Sequence, residues 1–365
     1  MPLRIFIPDW TNEVYLPSAI PPLYPFLKKQ KTNEELIGMY GAWIDEIEIV
    51  SSVAICDIVV LLYEVGYYYK NHLVDQLKKI NADAASAGKL TLCWSKGDEG
   101  ITPDLLNYHL YRLGGYRSKN KGNQFLSPVF IEDPLPKYFG NQLQFQPKTP
   151  KPLIGFCGQG KASIAKFIVD FFRGYKNRIE KIIGTNFYDV ETLESSTLKR
   201  SNLLDILEKS ALVNTNFIRH TRYRAGQSGK DGKEASSKIF FTNMLQSQYI
   251  VCYRGAGNFS VRLYETLASG RIPIIVLSDN NLPFEDEINW NIFPIIASEK
   301  WEETGKIVSA FHALLSEEAF IALQKNAREI YEQYISYNGF MCRWVKKYEG
   351  EKNRHQNISS ANISI

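Results

Sequence analysis

Short apolar runs alternating with helix-compatible stretches constrain this chain more than any other feature. "LRIFIP" at 3–8, "VAICDIVVLLY" at 53–63, "KLTLCW" at 89–94 and "FLSPVFI" at 125–131 are β-branched and aromatic runs bounded by turn residues. Polar, helix-compatible segments such as 70–87 separate them, so the spacing predicts a mainly parallel sheet with helical crossovers. A second alternation predicts a strand at 153–157, a helix at 161–181, a strand at 215–223 and a helix at 234–247. It continues with a strand at 249–253, a helix at 258–269, strands at 272–277 and 293–297, and helices to about 349. Between the two lies "NQLQFQPKTPKP" at 141–152, polar, with three prolines and neither helical nor strand period, as an extended connector would be.

The expected organisation is therefore an N-terminal α/β domain over 1–140, a linker over 141–152 and a second α/β domain over 153–335. Residues 336–365 read as a terminal helix and a frayed tail. A length of 365 residues agrees with two domains at roughly 100–200 residues each. Apolar residues at 44% and charged residues at 22% exclude disordered, collagen-like and coiled-coil chains.

The 43 Lys and Arg exceed the 39 Asp and Glu by only four, too mild a surplus for a nucleic-acid binder, so an anionic ligand must meet a local cluster. Five cysteines, Cys56, Cys93, Cys157, Cys252 and Cys342, are far apart and mostly inside apolar runs. They read as buried thiols in a reducing compartment rather than as a disulfide framework or metal site. The opening "MPLRIFIPDW" meets a proline and an aspartate before a signal-peptide core could form, which predicts a cytoplasmic protein. Work at the inner face of the plasma membrane stays open, as does the oligomeric state.

The most informative stretch is 249–290, in order a strand, a glycine-rich turn, a helix, a strand and an acidic loop. The turn "RGAGN" at 254–258, which includes Gly257, would let backbone approach a ligand. Asn258 suits an N-cap whose free N–H groups would favour an anion such as a diphosphate. Phe259, Leu263 and Leu267 share one helix face, and Arg262 and Glu265 lie three apart on another. Gly270 ends the helix and Pro273 begins a buried strand. By pattern alone these residues equally suit a plain βαβ unit carrying a surface ion pair.

In order, the stretch holds Ser260, Arg262, Glu265, Gly270, Ile272-Pro273, Leu282-Pro283-Phe284 and Ile288-Asn289-Trp290. This resembles the C-terminal signature of exostosin-like glycosyltransferases, family 47. "FCG" at 156–158 and "RHTRYRAG" at 219–226 resemble the opening strand and basic strand of the same domain, so the likeness covers about residues 150–310. In the first half, "LCWSKGDEG" at 92–100 is similar to the strand and acidic turn of these enzymes, although Glu99 stands where an aromatic residue is common.

The resemblance implies a GT-B architecture, two Rossmann-like domains facing across a central cleft. It also implies transfer of a sugar from a nucleotide-diphosphate sugar, UDP-linked by expectation, to a glycan acceptor with inversion, in surface-polysaccharide synthesis. A lipid-linked glycan is a further acceptor, and no metal or other cofactor is expected. The remaining readings are a non-catalytic module binding a glycan or anionic polymer, and a retaining or GDP-sugar-dependent GT-B enzyme.

Such a transfer needs a base on one wall and cations with N–H donors on the other. For the donor, the residues singled out are Ser260 with the amides of 258–260, Arg262, Arg254, and Arg219, Arg222 and Arg224 on a basic strand; Glu265 would bind ribose hydroxyls. Helix capping, surface ion pairing or a solvated basic edge compete with each assignment. Asp98 and Glu99 after a first-domain strand are candidate bases, with Glu64, Asp9 and His109 as rivals. Asp279, Glu285, Asp286 and Glu287 read as a solvated acidic loop. Tyr67, Tyr68, Tyr69 and Trp94 are the rings placed for sugar stacking.

Overall fold

The structure, a computed structural model, describes residues 2–10, 14–28, 31–161, 164–190, 195–221, 226 and 229–361. The chain forms two compact units. One comprises Met1–Leu113, Asn120–Ser127 and Gln333–Ile365, the other Gly114–Lys119 and Pro128–Glu332.

In the first unit the elements are β1 (Leu3–Phe6), α1 (Asn33–Tyr40), β2 (Ile47–Val50), β3 (Ile58–Val60), α2 (Val65–Lys70), α3 (Val74–Ser86), β4 (Leu90–Ser95), β5 (Tyr108–Arg112) and β6 (Gln124–Leu126). Among the described residues its strands form one sheet in the order β2-β1-β3-β4-β5-β6, every pair parallel. Two strands are shorter than the apolar runs that announce them: only 58–60 of 53–63 and 125–126 of 125–131 join the ladder. β2, with Glu48 in a four-residue strand, and β5, with His109 and Arg112, left no comparable run.

The second unit contains α4 (Pro134–Tyr138), β7 (Leu153–Gln159), α5 (Ile164–Ile182), α6 (Ser196–Lys209), β8 (Asn214–His220), α7 (Gly229–Leu245) and β9 (Tyr249–Cys252). It continues with α8 (Val261–Ala268), β10 (Ile272–Val276), β11 (Ile295–Ile296), α9 (Thr304–Leu314) and α10 (Glu317–Ile330). Its sheet runs β11-β10-β9-β7-β8, again wholly parallel. Both sheets thus share one doubly wound plan, the strand pattern of two Rossmann-like units, as expected of the GT-B class. In each, the order reverses between the first and third strands, β1 and β3 in one and β7 and β9 in the other, which is where such sheets open a crevice at their carboxyl ends.

The boundaries differ from those expected along the chain. Residues 141–152 are not a free connector, because second-unit side chains hold them by hydrogen bonds. Gln146 N donates to Gln324 Oε1 at 2.9 Å, Gln248 Nε2 donates to Pro147 O, and buried Arg271 donates to Gln144 O at 2.8 Å. A proline-rich strand-less segment has no ladder partners of its own, so its backbone groups are satisfied from outside. Arg328 anchors the preceding stretch through Asp133, with 2.9 and 2.6 Å contacts.

The C-terminal stretch carries the expected terminal helix, and residues 362–365, the end of the expected tail, lie outside the described residues. That helix, α11 (Tyr337–Ala361), returns to the first unit and completes its core. Phe340, Met341, Trp344, Val345 and Tyr348 are buried there. Trp94 stacks on Tyr111 at 4.4 Å and meets Trp344 at 6.0 Å, while the Tyr348 hydroxyl bonds Tyr111 Oη at 2.9 Å and His109 Nδ1 at 3.0 Å. Much of the aromatic surplus is therefore core. Four of the five free cysteines are buried, as the apolar runs around them imply. Among the described residues no single helix is long and apolar enough to cross a membrane.

Candidate functional site

The second unit concentrates its chemistry at the carboxyl ends of β9, β10 and β11. β9 ends at Cys252, and the turn that follows closes on itself, with Gly255 N donating to Phe259 O at 3.1 Å. Neither Gly255 nor Gly257 adopts a left-handed φ, and a Cβ on Gly255 would meet nothing within 4 Å, so the turn is bare rather than strained at that position. Gly257 is buried beneath it.

Asn258 is not the helix N-cap expected from sequence. It is 1% exposed, and its amide is spent on tying three backbone segments together. Nδ2 donates to Gly115 O at 2.9 Å and Asp279 O at 3.3 Å, and Oδ1 accepts from Ser278 Oγ at 2.8 Å. The N-cap is Ser260, in extended conformation, and its side chain makes no capping bond to α8. The first turn is closed by the backbone alone, with Leu263 N donating to Ser260 O at 3.1 Å. Gly270 does end α8 as expected, with φ +58.

A short loop at 114–119, which gave no sequence signal, completes this end of the unit. Gly114 lies so near the turn that a Cβ would come within 2.9 Å of Phe259, which explains a glycine there. Asp279, itself at φ 58, accepts from Arg117 N, Ser118 N and Ser118 Oγ, and Glu285 pairs with Arg117. The acidic loop thus serves to fix this neighbour. Asp286 and Glu287 are exposed, though Glu287 has a further interaction of its own.

These segments surround a cavity of about 370 Å³ lined in part by Tyr116, Lys199, Tyr253, Arg254, Ser298 and Trp301. Arg254 is 7% exposed, donates Nη1 to Tyr116 Oη at 3.2 Å and Nη2 to Ala256 O at 3.0 Å, and also lines an adjoining recess with Ser260, Asn280 and Asn281. That recess is about 20 Å³, room for about one water. Behind Arg254, Arg200 spans the crevice between β7 and β9: Nε donates to Gln159 O at 2.7 Å and Nη1 to Arg254 O at 3.0 Å. Burial, reinforced by the charge of Arg262, lowers Arg200 to about 10, so it stays cationic at neutral pH. Arg262 stacks on Phe156 at 4.2 Å and donates to Cys157 O at 2.9 Å. The cavity therefore offers aromatic rings and cations together, which suits a flat base and an anionic phosphate chain.

Arg219 does not join them. Its guanidinium is held by Asp205 at 2.5 Å, Glu208 at 2.8 Å, Ser201 Oγ at 3.0 Å and Gly160 O at 2.9 Å, so it clamps β8 to α6. Two carboxylates already neutralise it, leaving little for a phosphate. Arg222 and Arg224 lie outside the described residues. Glu265 is half-buried on α8 and lines neither cavity.

In the first unit the candidate bases are mostly engaged. Glu64 caps α2, accepting from Gly66 N at 2.8 Å, and is 8% exposed. Asp9 accepts from Leu62 N at 3.1 Å and from the Tyr68 hydroxyl; burial raises its carboxyl above the usual range, with those hydrogen bonds opposing. Tyr68 is thus core rather than a stacking platform, Tyr67 stacks on Tyr63 at 4.0 Å, and Tyr69 is half-buried. Trp94 is 2% exposed and unavailable to a sugar. Burial, then Lys347, lowers His109 to about 4, a neutral interior imidazole rather than a base at a strand end. Asp98 is exposed on the turn after β4, and Glu99 beside it is half-buried, with its carbonyl accepting from Arg112 at 2.8 Å.

Fold and cavity together define an α/β protein with a pocket at the carboxyl ends of a parallel sheet, lined by Lys199 and Arg254 and also by Asp279 and Glu299. Residues 170–311 match the Exostosin GT47 domain. This agrees with the signature at 260–290 and places an exostosin-type glycosyltransferase domain in the second unit. No curated protein matches it. Among solved structures, it is similar to a glycosyltransferase from Rickettsia africae ESF-5 at 10% identity and TM-score 0.34, covering 96% of this chain and 98% of that one. AviGT4, a glycosyltransferase involved in avilamycin A biosynthesis, gives 12%, 0.32, 95% and 97%. S. aureus TarM, solved as a mutant with fondaparinux, alpha-GlcNAc-glycerol and UDP, gives 10%, 0.30, 75% and 58%. Scores this low leave the fold to be read from its own two sheets.

Lys199, Arg200, Tyr116 and Trp301 are the site residues that sequence reasoning missed. The adjacent cations in "STLKRSNLL" were a usable signal, but nothing local ties them to a turn more than fifty residues later.

Proposed function

We propose that this glycosyltransferase takes its sugar from a nucleotide-diphosphate donor, UDP-linked, and passes it with inversion to a glycan acceptor in cytoplasmic surface-polysaccharide synthesis. The observation that carries the reading is the 370 Å³ cavity in which Arg254 and Lys199 share a wall with Tyr116, Tyr253 and Trp301. The rings would stack the base, and the two cations would neutralise the diphosphate in place of a metal ion, with Ser260, beside Arg254 in the adjoining recess, as a hydrogen-bond donor. As the acceptor oxygen attacks the anomeric carbon, the carbon–phosphate oxygen bond breaks and the nucleoside diphosphate leaves with the bonding pair. The acceptor proton passes to a carboxylate. Asp98 is the best choice for that base, since it is exposed after a parallel strand whereas Glu64 and Asp9 are committed to backbone amides.

A thermal-shift series with UDP, GDP and their sugars tests the donor site, and stabilisation by UDP above GDP is expected. No stabilisation by any of them would sink the reading. Asp98→Asn should abolish turnover while donor binding persists, and NMR of the product should show an inverted anomeric centre.

A further inference from the structure

The helix α5 stands in the second unit with its chemistry turned inside out. Ile168, Phe172, Tyr175, Ile179 and Ile182 recur at helical spacing and so form one stripe. Every one of them is exposed, Phe172 at 65% and Ile182 at 85%. Gly174, Asn177 and Glu180, three apart on the opposite side, are the half-buried positions among the helix residues whose burial is described. An ordinary surface helix buries its apolar stripe; this one leaves it in solvent. Phe171, edge-to-face with Phe172 at 6.0 Å, widens the stripe, and Ile183, 63% exposed, lengthens it. Exposed apolar patches of this extent mark a surface that another phase or partner covers.

The charges select what covers it. Lys176 and Arg178 flank the stripe on its two sides, about 80° either way at 100° per residue, and both are exposed. Arg173 and Lys181 lie further round the helix. Over 168–183 these four cations outnumber the two acids, Asp170 and Glu180, the latter paired with Lys176 at 3.5 Å. Apolar residues flanked by long cationic side chains match an interface of acyl chains and anionic headgroups, into which the ammonium and guanidinium groups extend. Two copies of this chain meeting on the same stripe would instead bring like charges together along both edges.

We propose that α5 docks the second unit on an anionic lipid surface, with its aromatic and aliphatic stripe entering the headgroup boundary. The inference is independent of the sugar-transfer reading, so each fails by its own measurement. The full-length protein is sedimented with phosphatidylcholine vesicles, with and without phosphatidylglycerol. Binding is expected only with the anionic lipid, and salt should weaken it. Phe172→Ser with Ile179→Ser should lower vesicle affinity by about tenfold or more. Arg173→Gln with Arg178→Gln should remove the preference for phosphatidylglycerol. An unchanged circular-dichroism spectrum and thermal midpoint would show that both double variants are folded. Wild-type protein left in the supernatant with anionic vesicles would overturn the proposal, as would variants that bind as well as wild type. A dimer that Phe172→Ser with Ile179→Ser dissociates, without vesicle binding by the wild type, would assign the stripe to a second copy and equally overturn it.

Discussion

The two sheets repeat one strand order, yet their reversal points are furnished in opposite ways. In the first unit, the crevice between β1 and β3 is closed by acids that satisfy local groups, Asp9 with Leu62 N and Tyr68 Oη and Glu64 with Gly66 N. Lys96 nearby is spent on the carbonyls of Pro17 and Ala19, at 3.0 and 2.7 Å. In the second unit, Arg200 bridges β7 and β9, while Lys199 and Arg254, the latter bonded to Tyr116 Oη and Ala256 O, line a cavity of about 370 Å³. Topology thus decides where a crevice forms, and side chains decide whether it is sewn shut or left to a ligand.

Breaking the open side should have the largest effect. Arg254→Ala is expected to weaken UDP binding on the order of a hundredfold, because a buried phosphate partner is lost. Isothermal titration measures it, and unchanged affinity would remove Arg254 from the donor site. Next comes the bridge: Arg200→Leu leaves the carbonyls of Gln159 and Arg254 without their donor, at a cost of about 2–3 kcal/mol in chemical denaturation.

The closed side should show itself through pH. His109 titrates at about 4 in the folded chain against 6.5 as a free side chain. Between those values the unfolded chain binds the extra proton, so the contribution is full above about 6.5 and lost as pH falls toward 4. After allowance for its partial exposure this amounts to roughly 1–2 kcal/mol. His109→Gln should flatten that acid limb, and an unaltered limb would refute the assignment. The smallest effect is expected at Glu64: Glu64→Ala should cost about 1 kcal/mol as a lost N-cap. Turnover should persist, whereas its collapse would return Glu64 to the list of bases.

What was legible in the sequence was local. The strand at 249–252, the glycine turn, α8 with its Gly270 stop and the buried strand after it follow from periodicity and turn chemistry within forty residues. Arg219 was misjudged because strand alternation shows which face a residue takes, not that Asp205 and Glu208 on another helix will meet it. Asn258 has the chemistry of a cap and of a cross-tie alike, and its partners, Gly115 and Ser278, are brought to it by folding. Tyr116 and Trp301 lie on short segments without period, so nothing in their neighbourhood announces a cavity wall.

The return of α11 to the first unit has a consequence for the order in which the chain matures on the ribosome. Nearly all of the second unit, Pro128–Glu332, is one continuous stretch that can assemble as soon as it emerges. The first unit is begun earliest but must wait for Phe340, Trp344 and Tyr348 before Trp94 and Tyr111 are covered. The half translated first is therefore the half finished last, and it passes through synthesis with an aromatic surface in need of shelter.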